Sequence, residues 1–156
     1  NSRIDFSNFL LKNLINLIDL DLSNNQMNYN ILKNLALTEL RGLKRLVLNR
    51  VGLQSNDSIK FLDNLNFLIE LDLSENDFKK NDEKFMSNSI NMEILKLRNC
   101  NFNFIDRNFL DFSNFPKIKY LDMSYNKLTE ISPDIISLMR NIDNIIFSHN
   151  NIKMFN

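Results

Sequence analysis

Few residues of this chain are of the types that carry out catalysis or hold metals. It has 156 residues, with one histidine, His149, one cysteine, Cys100, and two glycines. A lone histidine needs a positioned partner for acid–base chemistry, and a metal site needs several ligands at suitable spacing. The residues around His149 offer neither, and two glycines are too few for a phosphate-binding loop. We therefore predict that the chain is not an enzyme and has no catalytic site, metal site or cofactor.

Carboxylates are the other candidates for chemistry, because five of them alternate with apolar residues. They are Asp19, Asp21, Glu70, Asp72 and Asp122. Such a group could form an acidic pair or a cation site. Basic residues stand at equivalent positions between them, so cross-strand ion pairs are the simpler interpretation. Each exposed pair of this kind stabilises a fold by well under about 1 kcal/mol.

The elements that position these residues are six copies of one motif, which begin at residues 17, 43, 68, 92, 118 and 142. In order they read LIDLDLSNNQM, LKRLVLNRVGL, LIELDLSENDF, MEILKLRNCNF, IKYLDMSYNKL and IDNIIFSHNNI. Motif positions 1, 4, 6 and 11 hold only Leu, Ile, Met or Phe. The central residues alternate apolar and polar, as expected for a short strand with one buried face. Without a hairpin between copies, the strands must run parallel.

This pattern resembles the leucine-rich-repeat family from about residue 4 to the end of the chain. The resemblance implies an α/β fold, a curved solenoid with a parallel sheet on its concave face and short helices or turns on its convex face. We call the six motif-bearing units coils 1 to 6. We expect residues 1–156 to form one such domain. Both ends fall within a repeat, which suggests a fragment of a longer protein, and we expect fraying after Ile142.

The segments between motifs should cover the convex face. NILKNLALTEL and SIKFLDNLNFL have helical spacing of apolar residues, with Asn56 or Asp57 as a cap for the second helix. NDEKFMSNSI predicts a shorter helix with Phe85, Met86 and Ile90 inward. An aromatic segment ends at Pro116, and ISPDIISLM places a proline in the first turn of a helix. The aromatic segment contains Phe102, Phe104, Ile105, Phe109, Phe112 and Phe115.

Motif position 9 holds asparagine in four coils and Val51 or Cys100 in the other two. Here the chain leaves the strand, and an amide side chain can satisfy backbone groups that have lost their ladder partners. In the family this column forms a ladder. Val51 cannot take part, so its coil needs other partners. We interpret Cys100 as a small buried residue and not as a reactive or metal-binding thiol.

The residues between the buried strand positions should form columns across the concave face. Motif position 3 supplies the first column, position 5 the second, position 7 the third and position 8 the edge column. We predict that a partner binds Arg98, Tyr120 and Tyr125, since arginine and tyrosine are frequent in interfaces. Exposed Ile94, Ile146 and Val47 would add apolar contact. The complete predicted site is Arg45, Arg50, Glu70, Asp72, Ile94, Lys96, Arg98, Tyr120, Asp122 and Tyr125.

Overall charge argues against nucleic acid as the partner. Lys plus Arg and Asp plus Glu number 19 each, whereas phosphate binding needs an excess of cations. No apolar run is long enough to span a membrane.

The preferred interpretation is a non-enzymatic module that binds a protein. The single cysteine and the single sequon at Asn56 favour an intracellular location over an extracellular one. Two alternatives stay open: part of an extracellular receptor or adhesion ectodomain, and the targeting or regulatory arm of an enzyme complex.

Overall fold

Six strands of three residues form one parallel sheet in which each strand pairs with the next along the chain. The computed structural model describes residues 11–27, 29–35, 37–54, 57, 60–63, 65–78, 89–105 and 110–153. Its strands are β1 Asp19–Asp21, β2 Arg45–Val47, β3 Glu70–Asp72, β4 Ile94–Lys96, β5 Tyr120–Asp122 and β6 Asn144–Ile146. Each strand occupies motif positions 3 to 5, so the repeat pattern predicted both the strands and their parallel order.

The strand register is the one that the motif alignment predicts. Asp19 is opposite Arg45, and Arg45 is opposite Glu70. The same column continues through Ile94 and Tyr120 to Asn144. Because register decides which side chains share a face, the columns defined above are real neighbours on the sheet.

Short helices and turns cover the opposite face. Among the described residues, the α-helices are α1 Tyr29–Asn34 and α2 Pro133–Leu138, and 3-10 turns occur at Leu11–Asn13, Leu37–Glu39, Lys60–Leu62 and Phe112–Asn114. Helix α2 begins as predicted, with Pro133 in its first turn and the Ser132 hydroxyl accepting the Asp134 N–H at 3.3 Å. These bulky return segments lie behind closely spaced strands, so the solenoid curves with its sheet on the concave side.

Three expectations for the return segments, including an inward position for Ile90, were wrong. NILKNLALTEL forms α1 and a separate 3-10 turn instead of one helix, and the described part of SIKFLDNLNFL has only a 3-10 turn. The motif uses 11 of about 25 residues per coil, so little chain is left for a longer helix. Ile90 is exposed, since it lies in the turn before Met92, which takes the buried place. Predictions for Ala36, Asn56, Ile59, Phe85, Met86 and Phe109 concern positions outside the described residues.

Leucines of the central strands form the middle of the core. Leu71, Leu95 and Leu121, at motif position 4, are completely buried. The equivalent Ile145 of β6 is 38% exposed, because only one neighbouring strand covers it. Burial of apolar area therefore stabilises the central coils more than the last described coil.

Asparagine at motif position 9 joins coils 3, 5 and 6 to the coil before each of them. The Asn76 Oδ1 accepts the N–H groups of Val51, Gly52 and Leu53 at 3.1–3.2 Å. Its Nδ2 donates to the carbonyl of Leu48 at 2.8 Å and to Leu73 at 2.8 Å. The side chain is buried, so these bonds satisfy groups that water does not reach.

Where the following coil lacks this asparagine, the N–H group at motif position 11 bonds to a backbone carbonyl of that coil instead. Met27 donates its N–H to the backbone carbonyl of Val51 at 2.8 Å, and Phe78 donates to the carbonyl of Cys100 at 2.9 Å. Where the following coil does have asparagine, the corresponding N–H group, as in Phe102, bonds to its amide oxygen, here that of Asn126. The prediction that the Val51 coil needs other partners is confirmed.

Candidate functional site

Side chains of the four columns cover the concave face, but they differ widely in exposure. Ile94 and Ile146 are half-buried, as a contact surface would require. Val47 is only 5% exposed, so its predicted exposure was wrong. It lies between Asp21 and Asp72 in the second column, on a strand that has a neighbour on both sides.

A chain of ion pairs crosses strands β1 to β4. Arg45 Nη1 lies 2.8 Å from Asp19 Oδ1, and Arg45 Nε lies 3.5 Å from Glu70 Oε2. The other oxygen of Glu70 accepts from Lys96 Nζ at 2.6 Å. The hydrogen bond with Asp19 is the main cause of the raised pKa of Arg45. The predicted pairing of Asp19, Arg45 and Glu70 is confirmed.

The pairing predicted for Asp72, Lys96 and Asp122 was wrong, although the register does place them side by side. Lys96 reaches diagonally to Glu70 instead. The two aspartates accept the backbone N–H of the residue two positions later, Ser74 and Ser124, at 2.9 Å each. These local bonds turn one carboxylate oxygen toward the chain, so Glu70 is the better partner for the ammonium group.

Asp21 makes the same turn contact on coil 1. Its Oδ1 accepts from the Ser23 hydroxyl at 2.5 Å and from the Ser23 N–H at 2.9 Å. These bonds stabilise the ionised form and lower the pKa of Asp21. The recurring Asp-x-Ser sequence is therefore part of the turn after the strand. It does not form a nucleophile with a base.

Three side chains from coils 4, 5 and 6 stack on one another just after the ends of strands β4, β5 and β6. The guanidinium carbon of Arg98 lies 3.8 Å from the ring centre of Tyr125. The Tyr125 and His149 ring centres are 4.0 Å apart, with 26° between the ring planes. Arg98 Nη1 also donates to the hydroxyl oxygen of Ser124 at 3.1 Å. We call these three residues the Arg98–Tyr125–His149 stack.

The turn after each strand supports this stack through an unusual backbone conformation. All six residues of the edge column have left-handed φ angles, from 52° to 59°. They are Asn24, Arg50, Glu75, Asn99, Tyr125 and His149. Asparagine visits this region readily, whereas bulky side chains do so at a cost of about 1–2 kcal/mol. The conformation belongs to the repeat and turns Tyr125 and His149 to the same edge.

Cys100 lies behind this face and has no role in it. Its thiol is buried, with Sγ 3.3 Å from the carbonyl oxygen of Leu73 and 3.4 Å from that of Arg98. Burial raises the pKa of Cys100 to about 12. The thiol is therefore protonated at neutral pH and a poor nucleophile, in agreement with the structural role predicted for it.

The structure places the predicted site residues on one face, in two groups. Arg45, Glu70 and Lys96 belong to the ion-pair chain, while Arg98 and Tyr125 belong to the stack. The other predicted residues are distributed as follows: Asp72, Ile94, Tyr120 and Asp122 lie on strands, and Arg50 lies on the edge column. Sequence reasoning missed the stacking role of His149. The signal was present, because Tyr125 and His149 are consecutive in the edge column.

Within the described ranges, no group of three or more His, Cys, Asp and Glu side chains is arranged to hold a metal ion. The helices of the same part of the chain are all too short or too polar to cross a membrane.

Comparison with known proteins agrees with this geometry. A family model described as leucine rich repeat matches residues 90–152, which contain coils 4 to 6. The chain contains leucine-rich repeats. Its repeats extend over all six strands, because coils 1 to 3 have the same motif, register and turn as the matched coils. A search of curated proteins finds no match.

Two solved structures share the leucine-rich-repeat fold of this chain. The first is the TLR13–ssRNA13 complex, with a TM-score of 0.71 and 22% identity over 97% of this chain. The second is the leucine-rich-repeat protein LIC12759 of Leptospira interrogans, with a TM-score of 0.64 and 23% identity over 92% of this chain. The matched region spans 22% and 34% of those two proteins' chains. Leucine-rich repeats are typically non-enzymatic interaction modules.

Proposed function

We propose that this chain is a non-enzymatic module that binds a protein partner through the concave face of its sheet. The observation that supports this most strongly is the Arg98–Tyr125–His149 stack. Tyr125 is 43% exposed although Arg98 and His149 lie against it. Arginine and tyrosine contribute strongly to protein interfaces because they bury area and still form hydrogen bonds.

Apolar side chains beside the stack favour the same proposal. Ile94, Tyr120 and Ile146 are half-buried on strands β4 to β6. A partner would remove their remaining apolar surface from water, at about 25 cal/mol per Å². Coils 1 to 3 present mainly charged side chains in the same columns, so the C-terminal half of the face is the better candidate for the centre of the interface.

A protein fits this face better than RNA does, although the similar TLR13 structure contains ssRNA13. The first three columns carry five carboxylates and three basic side chains, a net charge of −2. Binding to a phosphate backbone depends on an excess of positive charge. The two basic side chains of the ion-pair chain, Arg45 and Lys96, are already paired with carboxylates.

The test is a comparison of two triple variants with matched substitutions. The concave variant is Asp72→Lys, Lys96→Glu and Tyr120→Ala. The convex control is Glu130→Lys, Lys153→Glu and Phe104→Ala, at exposed positions of the return segments. Affinity capture identifies a partner of the wild-type chain, and titration calorimetry then measures its Kd for each variant.

We expect the concave variant to weaken binding by at least about a hundredfold, because an interface contact with a Tyr side chain and two charges is lost. The convex control should bind like the wild type. Circular dichroism establishes that both variants are folded. Unchanged binding by a folded concave variant, together with loss of binding by the control, would move the site to the convex face.

A further inference from the structure

Arg98 differs from the other basic residues of the first three columns because its charge is not neutralised by an ion pair. Arg45 pairs with Asp19 and Glu70, and Lys96 pairs with Glu70. Within the described part of the chain, the side chain of Arg98 forms one hydrogen bond, to Ser124, and no ion pair. A guanidinium has five N–H donors, so most of its hydrogen-bonding capacity is available.

The position of this guanidinium is held from several sides. Its central carbon lies 3.8 Å from the ring centre of Tyr125, and the His149 ring stacks on the same tyrosine. Its Nη1 bonds to Ser124 on coil 5, while the Arg98 backbone N–H bonds to the hydroxyl of Ser74 on coil 3 at 3.3 Å. A side chain that is already ordered loses less entropy when it binds, so the available donors are preorganised.

Charge is unevenly distributed along the concave face. Coils 1 to 3 hold four of the five strand carboxylates: Asp19, Asp21, Glu70 and Asp72. Coils 4 to 6 hold two basic residues, Lys96 and Arg98, and one carboxylate, Asp122, whose Oδ1 already accepts the Ser124 N–H. A complementary partner therefore has an acidic group over coils 4 and 5 and basic groups over coils 1 to 3.

We propose that Arg98 binds a carboxylate side chain of the protein partner, in a segment that places its basic residues over coils 1 to 3. This inference rests on the proposed function. Planar guanidinium and carboxylate groups form paired, charge-assisted hydrogen bonds, which are the strong class of such contacts. The stack supplies the guanidinium, and Tyr120 and Ile94 supply apolar contact on the strands of the same two coils.

The probe is a random 12-residue peptide library displayed on phage, selected separately against the wild-type chain, Arg98→Gln and Arg140→Gln. Arg140 is the matched control, because it is also an exposed arginine, its Nε donates to the Ser137 carbonyl at 3.1 Å, and it lies on a return segment outside the predicted site. We expect wild type and Arg140→Gln to enrich Asp or Glu at one fixed position. The Arg98→Gln selection should lose that preference. Equal enrichment against Arg98→Gln would overturn the proposal.

Synthetic versions of one wild-type-selected peptide test the chemistry directly. Exchanging the enriched acidic residue for Gln should raise the Kd at least about tenfold against the wild-type chain and leave it unchanged against Arg98→Gln. A phosphoserine peptide or a uridine oligonucleotide that binds more than tenfold tighter than the carboxylate peptide would assign Arg98 to phosphate instead, which contradicts the proposal.

The concave triple variant separates this proposal from the proposed function. Selected peptides that lose binding to it, but show no dependence on Arg98, would contradict the carboxylate contact alone. Peptides that bind the concave variant and the wild type equally would contradict concave binding itself. Peptides that need both the concave residues and Arg98 would support both proposals.

Discussion

Replacement of Asn76 by alanine should destabilise the fold more than any other single change in the asparagine column. Asn76 accepts three backbone N–H groups of the preceding coil and donates to the Leu48 and Leu73 carbonyls. Alanine would leave at least two buried N–H groups and two carbonyls without these partners. Each buried polar group that loses its partner costs about 1–3 kcal/mol, and partial rearrangement recovers some of that cost.

We therefore expect Asn76→Ala to lower the free energy of unfolding by about 3–5 kcal/mol, a large part of the roughly 5–15 kcal/mol of an ordinary domain. The matched control is Asn25→Ala. Asn25 is half-buried and donates to two carbonyls of its own coil, Leu22 and Ser23, at 3.1 Å each. Its loss should cost about 1 kcal/mol.

Urea unfolding followed by circular dichroism measures both values, with equal m-values as the condition for comparing them. The two asparagines should thus contribute unequally to the free energy of unfolding, although the residue type and motif position are the same. Equal destabilisation by the two substitutions, or a loss below about 1 kcal/mol for Asn76→Ala, would refute the assignment of inter-coil bonding to this amide.

Other consequences of the structure can be measured in the same way. Glu75→Asn should raise the free energy of unfolding by about 0.5–1 kcal/mol, since asparagine tolerates the left-handed φ of 59°; a lower urea midpoint would contradict this. Glu70→Gln should lower the free energy of unfolding by about 1 kcal/mol at low salt and by less in 1 M NaCl, because Glu70 pairs with two cations. A decrease that does not depend on salt would contradict this. Cys100 should resist thiol reagents until the chain unfolds. Burial raises the pKa of Cys100 from 9.0 to about 12 in the folded chain. The protonated thiol therefore makes its full contribution to stability below pH 9, and that contribution is lost as the pH rises from 9 to 12. Between pH 9 and 12 the free energy of unfolding of the wild type should therefore fall by about 1 kcal/mol per pH unit more than that of Cys100→Ala. Parallel plots of unfolding free energy against pH for the two proteins would exclude this. Amide hydrogen exchange should be faster around Ile145 than around Leu71, given their burial, and equal protection would contradict end fraying.

Strands, register and columns could be predicted from sequence because the repeat copies a single unit. An apolar residue at each fixed motif position determines which face is buried, and parallel coils then align like positions. The left-handed conformation of the turn after each strand was harder to predict from sequence. Asn24 and Asn99 suit a left-handed residue, but Arg50 and Tyr125 at the same position do not indicate it.

The details that sequence did not predict depend on side-chain competition. Lys96 could reach an aspartate on either neighbouring strand, and it bonds to Glu70 because the Asp72 and Asp122 carboxylates bond to backbone N–H groups. The convex helices were overestimated, because apolar spacing does not distinguish a long helix from short turns that bury the same leucines. The stack depends on the direction of Arg98, which follows from its contact with Ser124.

Site-specific photo-cross-linking tests the central claim, that the concave face binds a protein, most directly. A benzophenone amino acid replaces Tyr120 on strand β5 in one protein and Phe104, which is 60% exposed on a return segment, in the other. Both exchanges substitute one aromatic side chain for another. After irradiation with the captured partner, we predict a covalent adduct from position 120 and none from position 104. An adduct from position 104 alone would contradict the account.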